Sequence, residues 1–393
     1  MKRNAPSGLF TPDPRTYAFS LEEALLDLGA DSLDGIQEVI AEMDDGPELT
    51  PETVISEEGI GTDIRNGFDD LFQYQVLHWK HFRDVQNDFF SETNPKIARY
   101  NQKLNETWRE FQEKKHKFRD GEHHLSLMEL WYFFSNKQGA SRNVIRDLQQ
   151  DTEFSKFVLV TYRKAVIDQL SALASIVQGA RLHSLADCHK VIEAIQRLKT
   201  IDELFDDKWL GEGRYFNVTS VIKSAGSVGK DFEFDGKSYS RATELSSGAR
   251  VVEKKSKGHT AMKVVANVTN IGAAIKGSSI APMEISTNEI GEIIMFGKDY
   301  VANLDTGLEL SNSAERATNA LMRGVEAMRG SSHIPADDIP ELRKFVKFVG
   351  QVADSYIAAL KQPFGAEVIR SIKGAKYCYY IGLRCIYNAS KYI

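Results

Sequence analysis

Several groups of residues in this chain are of types that could do chemistry. His78 and His81 stand three apart, a spacing that puts two imidazoles on one face of a helix. A zinc site needs further ligands in step with them, as in H-E-x-x-H, and no acidic partner recurs at that spacing. His123 and His124 are adjacent and point apart, so these residues, with His116, read as surface or half-buried imidazoles. Residues 224–231, SAGSVGKD, have the outline of a phosphate-binding loop. The pattern G-x-x-x-x-G-K-[ST] requires Gly where Ser224 stands and a hydroxyl where Asp231 stands, and that carboxylate would repel phosphate. Cys378 and Cys385 are seven apart, two helical turns or about 10.5 Å, too far for a disulfide within one helix. They read as small core residues, and with Cys188 they form neither a disulfide framework nor C-x-x-C zinc spacing. The chain has no G-x-S-x-G turn, kinase set or dinucleotide fingerprint, and Asp44-Asp45 and Asp337-Asp338 read as solvated acidic pairs. The expectation is a protein that is not an enzyme and that takes no cofactor and no metal.

Charge is unevenly placed along the 393 residues. Residues 1–58 carry fourteen acidic and three basic side chains, a net of −11; against −6 for the whole, the remainder is +5. Such a bias acts on solubility and association rather than on fold. No run of 18 apolar residues occurs to span a membrane, and Lys2 and Arg3 are not followed by the apolar stretch of a secretory signal. Sparse, odd-numbered cysteines fit a chain made in a reducing cytoplasm.

The elements that would position these residues are mainly α-helical. In the acidic leader, Ser20 and Ser32 cap short amphipathic segments, and Thr50-Pro51 opens a further turn. From residue 59 onward Phe68, Phe72, Trp79, Phe82 and Phe89 recur at helical spacing. A break is expected at Asn94-Pro95, then a second long helix through Ile97, Leu104 and Phe111. Residues 125–134, LSLMELWYFF, should be buried, and helices follow over 141–179 and 184–205, so 59–208 reads as a helical bundle. A small mixed or β-rich insertion is placed at 209–305: Asp235-Gly236 between FEF and KSY marks a hairpin, and 263–271 and 291–297 read as strands. Helices return from 312, continue after Pro340, and end with a long segment after Pro363, so that 306–393 would pack on the bundle.

That last segment interleaves Tyr377, Tyr379, Tyr380, Tyr387 and Tyr392 with Arg370, Lys373, Lys376, Arg384 and Lys391. Such a face could hold nucleic acid through phosphate contacts and stacking. It could equally be a core helix whose phenols reach the surface, and the core reading is the stronger.

The joint between leader and body carries Ile55, Ser56, Glu57, Glu58 and Gly59. Small-x-Glu and Ile-x-Glu triplets in such a place resemble the sites cut by the prohead proteases of T-even-like and giant tailed bacteriophages. Further triplets of this kind, Ser20-Leu21-Glu22, Ile40-Ala41-Glu42, Ser313-Ala314-Glu315 and Gly324-Val325-Glu326, fall mostly within expected helices. In its leader, its joint and its Tyr-rich basic end, the chain resembles the internal head proteins, the inner-body or core components, of those phages. The resemblance implies a virion structural protein inside the capsid, made in the host cytoplasm with a propeptide that is removed during head maturation. Its partners would be other head or core proteins, the maturation protease and packaged DNA, with no membrane involved. The alternative is a phage binding or regulatory protein acting in the infected cell, its acidic leader covering a basic surface.

Overall fold

The structure, a computed structural model, describes residues 63–118, 123–126, 144–204, 232–239, 282–330, 335–361 and 364–390. It is mainly α, with two short antiparallel strand pairs. Helix α1 spans Asp63–Lys114 and runs unbroken through Pro95. The expected break does not occur, because residues on both sides of it are buried: Phe89 and Phe90 before, Ile97, Tyr100 and Leu104 after. Burial of those side chains offsets the roughly 3 kcal/mol that an interior proline costs.

Beyond α1, strand β1 (His123–Ser126) leads to α2 (Val144–Lys156), a π-helical turn (Phe157–Tyr162) and α3 (Arg163–Gly179). Short helices α4 (Leu185–Gln196) and α5 (Ile201–Leu204) follow. Strands β2 (Phe232–Phe234) and β3 (Lys237–Tyr239) form the expected hairpin, pairing Phe234 with Lys237 across Asp235-Gly236. Both turn residues have positive φ, +47° and +71°, as a type I′ turn requires. Strand β4 (Pro282–Ile285) pairs antiparallel with β1.

Helix α6 (Thr287–Gly330) corrects the strand reading of residues 291–297. Ile290, Gly291, Ile293, Ile294, Gly297, Tyr300, Val301 and Leu304 are all buried, so a wide apolar face at helical spacing was mistaken for alternation. Ser286 caps α6: its Oγ accepts from the Glu289 amide at 3.3 Å while the Glu289 carboxylate accepts from the Ser286 amide at 2.8 Å. Helices α7 (Ile339–Lys361) and α8 (Phe364–Ser390) complete the fold. Helix α6 is the central rod, packed on α3, α8, α1 and α2. Helix α8 is covered along most of its length by α6, α1 and α2.

Candidate functional site

Of the basic residues of α8 named for nucleic-acid contact, Arg370 and Lys376 are engaged within the fold. Arg370 grips the Glu367 carboxylate with two bonds, Nε to Oε2 at 2.8 Å and Nη2 to Oε1 at 2.7 Å, and its Nη1 pairs with Asp151 on α2. Asp151 also accepts from the Tyr300 hydroxyl on α6, and Ser371 donates to Glu367 at 3.0 Å while touching Ser155 at 2.8 Å. The guanidinium lies over the Phe154 ring. Asp151 and Glu367 are fully buried, so two buried carboxylates share one cation. Burial pushes the Glu367 carboxyl up, against the pull of Arg370. Burial works against the charge of Arg370, yet Asp151 and Glu367 hold its pKa well above the usual value. Burial and the Asp151 charge push the Tyr300 phenol well up.

Arg370 is therefore an interior anchor and presents no open guanidinium to phosphate. Lys376 is likewise buried, its Nζ 5.4 Å from the Tyr100 ring of α1. Lys373 is half-buried, and burial pulls its ammonium pKa down; Arg384 is half-buried too. Lys391 lies outside the described residues. Tyr377, Tyr379 and Tyr380 are core residues, in keeping with the core reading of this helix. The joint, Ile55 to Gly59, also lies outside the described residues. Of the other triplets, 313–315 and 324–326 sit inside α6 with Ala314, Gly324 and Val325 buried.

A second polar cluster seats the hairpin on the helices. His189 of α4 bonds the Tyr239 hydroxyl through Nδ1 and Asp235 through Nε2 at 3.1 Å. Lys237 pairs with Glu193 at 2.8 Å, and the Asp235 amide donates to Glu341 of α7 at 3.1 Å. Phe232 stacks on Phe348 with centroids 4.5 Å apart. No sequence motif joins His189 to Asp235, forty-six positions away. The Asp151–Arg370 cluster did leave a trace: Asp151 and Ser155, like Glu367, Arg370 and Ser371, put polar residues on an otherwise apolar helical stripe.

His78 lies 3.9 Å from Asp354, and Asp354 accepts from the Trp79 indole at 2.9 Å. All three cysteines are free and buried; burial pushes Cys188 and Cys385 up to about 12 and raises Cys378 strongly as well. Among the described residues no three His, Cys, Asp or Glu side chains gather as metal ligands. No helix among them is long and apolar enough to cross a membrane. No family model, curated protein or solved structure matches this chain.

Proposed function

We propose that this chain is a non-enzymatic structural protein of the interior of a tailed-phage head, made as a precursor and cut after Glu57 or Glu58. The observation that carries the reading is a coincidence of position. The cut-like joint stands where net charge switches from −11 to +5. Two features of the body favour a cut at that joint. The matching triplets at 313–315 and 324–326 are wound into α6, where a protease cannot draw the backbone out. Loss of the leader would also turn a −6 precursor into a +5 product, reducing its repulsion from DNA.

The alternative, an intracellular regulator whose leader covers a basic surface, finds less support. Of the residues such a surface would need, Lys376 is buried and Arg370 is taken up by the buried carboxylates Asp151 and Glu367. N-terminal sequencing of the protein from purified particles tests the proposal. A mature start at Glu58 or Gly59 is expected; an intact Met1 in mature virions would sink it.

A further inference from the structure

Arg163, the first residue of α3, is a buried cation without a counter-charge. Its side chain is 1% exposed. Nη1 donates to the Leu360 carbonyl at 3.3 Å and Nη2 to Ser311 Oγ at 3.2 Å. The guanidinium carbon lies over Phe364, 3.5 Å from the ring centroid, with Phe90 at 5.6 Å. A guanidinium has five N–H donors, so three have no acceptor among the described residues, including the one on Nε. Burial alone pulls its pKa down to about 9, and no carboxylate acts in the other direction. Arg370 in the same fold has two carboxylates and completed bonds.

The bond to Leu360 explains part of this arrangement, since a cation suits the carbonyl end of α7. It leaves most of the charge and most of the donors unanswered. A charged side chain in that state is very costly, and native proteins fill such places with water or an ion. Two further features point to an anion. Phe364, on which the guanidinium rests, opens α8, whose amide end carries the positive pole of a 27-residue helix. Gln86 is buried with its Nε2 donor unpartnered, four residues before Phe90 and so on the same face of α1.

We propose that Arg163, with Ser311 and Gln86, holds a small oxyanion at the junction of α7 and α8. Because the guanidinium is closed off from solvent, the ligand is of the size of inorganic phosphate or a simple carboxylate. The test is thermal unfolding of the full chain in increasing phosphate, and separately formate, against chloride at matched ionic strength. A saturable rise in Tm is expected, about 4 °C at a hundredfold excess over Kd. Response to phosphate assigns a tetrahedral ligand and response to formate a planar one; a Tm that follows ionic strength alone overturns the proposal. Arg163→Met should abolish the specific rise. Gln86→Leu, a milder change, should shift its midpoint to several-fold higher anion concentration. An undiminished response in either variant overturns the assignment, and if Arg163→Met does not fold, Gln86→Leu decides.

Discussion

At the scale of single residues, the Asp151–Arg370–Glu367 cluster makes opposed predictions for its members. It holds one more negative than positive charge when both carboxylates are ionised, and both carboxylates are fully buried. Arg370→Met would strand two buried carboxylates and should cost about 3–5 kcal/mol in urea unfolding. Glu367→Gln removes the surplus charge while keeping size and an acceptor, and should stay within about 1 kcal/mol of the parent. The pH dependence follows from the sign of the shift. Burial raises the folded-state pKa of Glu367, so the native state favours its protonated form. Stability from this group is therefore full below the ordinary value of about 4.3 and falls as pH rises toward the raised folded value. Glu367→Gln should gain on the parent as pH rises from about 4 to 7, and a difference that stays flat with pH would refute this account. The thiols give a simpler prediction. With Cys188 and Cys385 at about 12 and Cys378 also raised, native protein at pH 8 should resist alkylation by iodoacetamide and react only on unfolding.

At the scale of elements, the close approach of α6 to α3 is sensitive to a single methyl group. A Cβ on Gly324 would stand 3.1 Å from the Gln178 nitrogen and 3.3 Å from the Ala174 carbonyl, both backbone atoms of α3. Neither can rotate away, so Gly324→Ala should cost about 1–3 kcal/mol. Gly179, with nothing within 4 Å of its added Cβ, should accept Ala with no loss or a gain of up to about 1 kcal/mol. Chemical denaturation of the two variants side by side checks both. Local chemistry made some elements legible in the sequence. Asp235-Gly236 marked the hairpin, Pro340 and Pro363 marked the starts of α7 and α8, and the tyrosine pattern allowed a core helix. Long-range packing hid others. The continuity of α1 through Pro95 depends on burial along both halves, and α6 is so widely apolar that its first turns resemble a strand, although Ser286 and Glu289 spell out its cap. The Arg370 cluster joins residues 219 positions apart, a pairing no spacing within one helix announces.

At the scale of the whole molecule, the balance of charge and burial limits what the body can do with DNA. Residues 59–393 carry a net +5, and burial takes acids as well as bases out of reach: Lys376 is buried, and Arg370 is paired with the buried Asp151 and Glu367. A net charge this small lets few phosphates be neutralised together. Binding of residues 59–393, the product of the proposed cut, to DNA should therefore be weak and non-specific. The slope of log K against log salt should be shallow, reflecting about two to four phosphate contacts rather than the ten of a dedicated binder. The full chain, with the −11 of residues 1–58, should bind more weakly still at low salt, and the two should converge as screening shortens the Debye length to about 8 Å near physiological ionic strength. Lys373→Gln and Arg384→Gln, at half-buried positions, should each lower the slope by less than one phosphate, and Lys376→Met should leave it unchanged if the fold holds. Filter binding over a salt series on precursor, cleaved protein and these variants measures all of this. A steep slope of the cleaved protein that collapses in Lys376→Met would mean that α8 leaves the core to meet DNA, and would overturn the interior role assigned to it.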